Sequence, residues 1–270
     1  MQPVQQLTQT PFHASRWPSL ASGLLELVWP TRCVGCETPG QLLCERCNGS
    51  IARIEIANAC PRCGAPHGRL ICTECCASES SPPFSFARAA CAMEMGPVAG
   101  RMVVVYKDGD ERRLANYCAA ELLAAIPPSW WQWADCLTWI PSDKRSLRRR
   151  GFSPIRLIAH KLSALVEVPA QALLKKSPTK DQRHLGRSGR RANLLGCFSL
   201  LDATERPFPG GSGRSLSLET ARCGSGHSLP DKVVLIDDVF TTGATLDSAA
   251  AQLCEGGVSE VRVATLVRVW

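Results

Sequence analysis

The chain has no apolar run long enough to cross a bilayer. Its nearest approach carries Leu20, Leu24, Leu25, Leu27 and Val28 but is broken by Glu26, whereas a spanning helix needs about 20 predominantly apolar residues. This argues against membrane insertion and predicts a short amphipathic helix within a tail, 1–29. A secretory signal is also missing, so the expected setting is the cytoplasm, where thiols stay reduced. Histidine is scarce, at five residues. His160 and His184 stand among basic or apolar neighbours, and neither reads as a catalytic base. Acidic residues are outnumbered, 24 against 31 basic, and the resulting charge of +7 favours acidic ligands.

Cysteine, by contrast, is abundant, with 15 residues. Eight form four identical pairs: Cys33-x2-Cys36, Cys44-x2-Cys47, Cys60-x2-Cys63 and Cys72-x2-Cys75. One such knuckle brings two thiolates to one ion, and two knuckles close a tetrahedral structural zinc site. Two sites in series fit the spacing, and so does a cross-braced pairing of alternate knuckles. Disulfides fit the reduced setting less well. His67 lies between the later knuckles, where four thiolates already suffice. Cys76 adjoins Cys75 and reads as a spectator, while Cys91, Cys118, Cys136, Cys197, Cys223 and Cys254 read mostly as small buried hydrophobes.

Near the other end, Val233, Val234, Leu235 and Ile236 form a run that demands burial on both faces, the habit of a central parallel strand. Asp237 and Asp238 follow, placed at the strand's carboxyl end, and then Thr241, Thr242, Gly243, Ala244 and Thr245 lead into a helix predicted over 246–255. Ligands of open α/β sheets bind outside those strand ends. A turn of amides and hydroxyls before a helix N-terminus suits a phosphate. These residues resemble the 5-phosphoribosyl-1-pyrophosphate (PRPP) motif of type I phosphoribosyltransferases. By that resemblance Asp237 and Asp238 hold the ribose hydroxyls, and residues 241–245 cradle the 5′-phosphate.

Positive charge is concentrated in Lys144, Arg145, Arg148, Arg149 and Arg150, ahead of Gly151 and Phe152. The run follows a predicted strand at 137–140 and reads as a loop able to close on a pyrophosphate, since arginine binds phosphate oxygens bidentately. Alone, it reads rather as a solvated basic face, of a kind used for nucleic acid. Together with Tyr106, Lys107, Asp108 and Gly109, then Thr179, Gln182, Arg190, Arg191, Asn193 and Phe198, it resembles the ComF family of competence-related proteins across nearly the whole chain. The family usually has asparagine and glutamine after Arg-Gly-Phe, where this chain has Ser153 and Pro154. Ser142 and Asp143 depart from it as well.

The resemblance implies an α/β chain of the type I phosphoribosyltransferase fold, a central parallel sheet with flanking helices and a hood. A double zinc ribbon, 30–80, would precede the catalytic domain, 81–270, which holds a flexible Gly/Ser-rich insertion at 204–231. Strands are expected at 88–95, 137–140, 232–236 and 259–268, with 175–198 mostly helical or irregular. The implied activity is pentosyl transfer from PRPP, with magnesium bridging pyrophosphate and ribose and with Lys107, Arg148, Arg149, Arg150 and Gly151 on the pyrophosphate side. Thr241 stands where purine-salvage relatives carry an aspartate, which counts against 6-oxopurine acceptors. Two alternatives remain: a PRPP-sensing scaffold, and a DNA-uptake factor handling single-stranded DNA through the ribbons, the basic run and a stacking platform of Trp130, Trp131 and Trp133. Those tryptophans read equally as core.

Overall fold

The structure is a computed structural model that describes residues 30–66, 68–76, 84–176, 197–202 and 229–270. The expected N-terminal helix, His67, Cys223, His184, Thr179, Gln182, Arg190, Arg191, Asn193 and most of the insertion lie outside the described residues.

The cysteine-rich segment has little regular structure beyond α1 (Glu45–Gly49). It leads to β1 (Arg88–Glu94), α2 (Pro97–Asp108), α3 (Leu114–Ala125), α4 (Pro128–Trp133) and β2 (Cys136–Trp139). Then come α5 (Lys144–Arg150), α6 (Pro154–Val166), β3 (Leu174–Lys176), β4 (Phe198–Leu200), β5 (Lys232–Phe240), α7 (Ala244–Glu255) and β6 (Glu260–Arg268).

Among the described residues β1, β6, β5 and β2 form a parallel sheet in that order. Alternation along its strands sends side chains into two cores. Ala90, Ala92, Val234, Ile236, Ala264 and Leu266 meet α2, α3 and α6. Ala89, Cys91, Val233, Leu235, Val261 and Val263 meet α7 and the second cysteine cluster. Val233, Val234, Leu235 and Ile236 are wholly buried, as a central strand covered on both faces requires.

Edge strand β1 does not end in solvent. The Ile54 amide donates to the Ala92 carbonyl and the Glu94 amide to that of Ala52, so the linker between the cysteine clusters pairs with the exposed edge. The cysteine-rich segment is thereby hydrogen-bonded to the sheet.

Two expectations need correction. The basic run is not a loop but the helix α5: the Asp143 carboxylate accepts from the Ser146 amide at its start, and Gly151, with φ of 71°, stops it. Residues 175–198 are not helical at their ends, which pair antiparallel as β3 and β4.

Candidate functional site

The eight paired cysteines fall into two groups, Cys33, Cys36, Cys44 and Cys47, then Cys60, Cys63, Cys72 and Cys75. Within each group the Sγ atoms all lie within 4.8 Å of one another. The pairing is therefore serial. Sγ atoms of Cys36 and Cys44, and of Cys63 and Cys72, are 3.6 Å apart, close to the roughly 3.8 Å edge of a tetrahedron with Zn–S bonds of about 2.3 Å. Each group can hold a zinc ion.

Backbone amides prepare the thiols. Gly35 and Cys44 point amides at Cys33 Sγ, and Cys72 does so at Cys60 Sγ. Burial raises the Cys60 thiol, but amide donors more than offset it and bring it down to about 7. The Thr38 hydroxyl and amide lower Cys36 to about 5. Burial and neighbouring thiols push Cys47 up to about 12, because crowded thiols do not all ionise together without a cation. Among the rest, Cys91, Cys118, Cys136 and Cys197 are buried as expected, and Cys76 is exposed.

Asp237 and Asp238 lie before the end of β5 rather than at it: the pairing continues to Val239 opposite Val267 and Phe240 opposite Arg268. Burial is the main reason the Asp237 carboxyl is held well above the usual carboxylate range, and the charge of Asp238 adds to it. Lys107, at the end of α2, supplies the counter-charge, with Nζ 2.6 Å from Asp238 Oδ2.

Beyond Phe240 the chain turns through Thr241, Thr242 and Gly243 into α7, whose N-cap Gly243 has no side chain to cap it and whose first amide, that of Ala244, donates to the Thr242 hydroxyl at 3.4 Å. Thr241 and Thr242 are exposed, whereas Ala244 and Thr245 are half-buried. Gly243 has φ of 78°, and a Cβ there would meet the Phe240 ring at 2.7 Å, so glycine is required on both counts. Phe84 and Phe86 stack, and both meet Phe240 edge-on beneath this turn.

A cleft of about 260 Å³ lies beside the acid pair, lined by Lys107, Asp108, Asp110, Arg149, Arg150 and Phe152. Asp108 accepts from Arg149 and Arg150 at 2.8 and 3.0 Å. Arg148 is exposed and does not line this cleft. The Arg112 guanidinium covers the Phe152 ring at 4.6 Å. Buried Tyr106 donates to the Pro154 carbonyl at 2.7 Å, which pins the turn between α5 and α6. The residues departing from the family pattern have structural uses. Ser142 and Ser153 hydroxyls are 3.2 Å apart, Asp143 caps α5, and Pro154 opens α6 where its missing N–H costs nothing.

Sequence reasoning missed Arg268, which is 2% exposed and donates to the carbonyls of Cys63 and Thr241. Its only signal is an arginine closing the mostly apolar second half of β6, Val263 to Val267.

The chain is 26% identical over 254 residues to "DNA utilization protein YhgH" of Escherichia coli O157:H7, spanning 90% of this chain and 99% of the relative. It is 31% identical over 123 residues to "Competence protein F" of Haemophilus influenzae, 44% of each chain. A 44-residue stretch is 46% identical to "Competence protein ComFC" of Streptococcus pneumoniae, 16% of this chain and 20% of the relative. These relatives support assignment of the chain to the ComF family. No family model matches the chain. The alignment with the first relative spans nearly the whole length of both chains. Among the described residues no helix is long and apolar enough to cross a membrane.

Proposed function

We propose that this chain binds PRPP with magnesium and transfers the phosphoribosyl group to an acceptor, in support of competence or DNA utilisation. The observation that carries the reading is the sequence of parts along one sheet position. The Asp237–Asp238 pair near the end of β5 is followed by the turn Thr241, Thr242 and Gly243, two hydroxyls and a glycine that lead into the N-terminus of α7. Such a turn receives a phosphate, and the acid pair is placed to accept hydrogen bonds from ribose hydroxyls. The printed names of the relatives support the biological setting.

Asp237 and Asp238 offer hard oxygen ligands and would hold magnesium, which would supply positive charge beside a bound pyrophosphate. Lys107, Arg149 and Arg150 line the neighbouring cleft and place positive charge where the leaving pyrophosphate gathers negative charge. Their partners Asp238 and Asp108 give them up as the ligand enters. Gly151 lets the backbone turn away from that cleft. Thr241 offers a hydroxyl rather than a general base, so an acceptor that needs no strong base suits the site.

Calorimetric titration of the zinc-loaded protein with PRPP and magnesium, beside the Asp237→Asn/Asp238→Asn variant, tests this. Binding lost in the variant supports the site; no binding by the folded wild type overturns it. A second reading, handling of single-stranded DNA, draws on the relatives' names and on Arg145 and Arg148, exposed on α5. It predicts affinity falling steeply with salt and indifferent to PRPP.

A further inference from the structure

We propose that Arg268 is a positioning residue that couples the second cysteine cluster to the phosphate turn, so that a zinc ion held by Cys60, Cys63, Cys72 and Cys75 sets the geometry in which residues 241–245 receive a phosphate. The inference rests on the PRPP reading for its ligand, but the coupling itself stands on contacts of the chain alone.

Arg268 is the last residue of β6, and its guanidinium is buried between two parts of the chain far apart in sequence. Nε donates to the Cys63 carbonyl at 3.2 Å. Nη1 donates to the Thr241 carbonyl at 2.8 Å, to the Phe240 carbonyl at 3.4 Å and to that of Val269. The guanidinium also lies over the Phe240 ring at 4.5 Å, and Nη2 is 3.9 Å from Glu74 of the same cysteine-rich segment. Burying a guanidinium is costly unless its donors are satisfied. Here they are satisfied by the knuckle carbonyl on one side and the base of the phosphate turn on the other.

The knuckle end of this link is held firmly. Cys63 supplies both a thiol to the cluster and the carbonyl to Arg268. The next residue, Gly64, has φ of 68°, and a Cβ there would meet Cys91 Sγ at 2.7 Å. Cys91 in turn receives the Thr265 hydroxyl at 3.1 Å, so knuckle, β1 and β6 are packed without slack. A metal ion that fixes the Cys63 thiol therefore fixes the carbonyl on which Arg268 is anchored. Losing that ion frees the knuckle turn, and the guanidinium then loses one of the two fixed groups that aim it at Thr241. The first cluster is joined differently, through Arg53, which links Asn48 beside Cys47 to Tyr117 and Glu121 of α3, so the coupling belongs to the second cluster.

Lysine keeps the charge but cannot present a planar fork to both carbonyls at once. The test compares zinc-loaded wild type, zinc-extracted wild type and zinc-loaded Arg268→Lys. Amide hydrogen exchange is followed in a peptide covering 241–246, with one covering 233–236 as the internal reference, and PRPP with magnesium is titrated by calorimetry. Coupling predicts at least about fivefold faster exchange of the turn in both altered proteins with the reference strand unchanged. It also predicts a Kd for PRPP raised about tenfold in Arg268→Lys. Turn exchange and Kd both equal to wild type overturn the proposal. Should the reference strand of Arg268→Lys also exchange fast, the variant is unfolded and the zinc-extracted wild type decides by the same exchange criterion. Should wild type not bind PRPP, the transferase reading falls, and the exchange comparison still decides the coupling.

Discussion

Lys107 Nζ lies 2.6 Å from a carboxylate oxygen of Asp238, with both side chains about three-quarters buried or more. The neighbouring residue of α2, Asp108, meanwhile holds Arg149 and Arg150 of α5. Two adjacent residues of one helix end thus reach opposite charges on both sides of the cleft. Without ligand the cleft neutralises itself, and an incoming pyrophosphate with its cation has to exchange these partners.

Replacing Lys107 with methionine keeps the aliphatic stem and removes the charge. The expected outcome is PRPP binding weakened about tenfold, from loss of a charge-assisted contact, with stability lowered by no more than about 1 kcal/mol because the pair is partly solvated. Calorimetry and denaturant melts measure the two effects separately. Undiminished affinity would remove Lys107 from the pyrophosphate side.

Asp237 gives a pH prediction of defined sign. Its folded carboxyl titrates above the unfolded one, chiefly through burial and then through the charge of Asp238. The folded state therefore holds its proton more tightly, and the associated stability is full below the unfolded pKa and lost as pH rises through the folded value. Asp237→Asn escapes that loss. In magnesium-free buffer the variant is expected to melt higher than wild type at pH 8, with the gap closing as pH falls below about 4. A gap of the same size at both pH values would contradict it.

The serial pairing of thiols predicts zinc stoichiometry. Cys36→Ser/Cys44→Ser removes two ligands of one cluster and none of the other, so native mass spectrometry should find one zinc lost and one kept. In a cross-braced arrangement the same two changes would fall on different sites and weaken both. Knuckle spacing could not decide this, because it specifies the turn around each pair but not the path of the chain between pairs.

Other features were legible for local reasons. The apolar run Val233–Ile236, ended by two acids and a glycine turn, pointed to a central strand, and β5 formed as expected, whereas the similar run Met102–Val105 lies in α2. It runs on through both acids because Lys107 offsets their charge and Thr265, Val267 and Arg268 continue the ladder. The basic run reads as a loop if only its charge is counted. Its helix depends on the Asp143 cap and the Gly151 stop, signals that outweigh repulsion among arginines of which Arg145 and Arg148 point into water and Arg149 and Arg150 pair with Asp108. Arg268 was illegible since its meaning lies in Cys63, 205 residues earlier, and no local pattern connects them.

The aromatic cluster of α4 gives the last prediction. Trp130 is buried, and Trp131 and Trp133 pack against the core. The Arg262 guanidinium stands 3.7 Å from the Trp133 ring centroid and 5.4 Å from that of Trp130, and its Nε donates to Glu260 at 2.8 Å. A ring that already holds a cation over one face and packs against the core is poorly placed to stack on a base. Trp133→Ala is therefore expected to cost stability, about 2 kcal/mol from lost packing and cation–π attraction, while leaving the affinity for a single-stranded oligonucleotide within about twofold. Denaturant melts and fluorescence anisotropy at fixed salt measure the two quantities. A large loss of affinity with an unchanged melt would instead make these tryptophans a stacking platform.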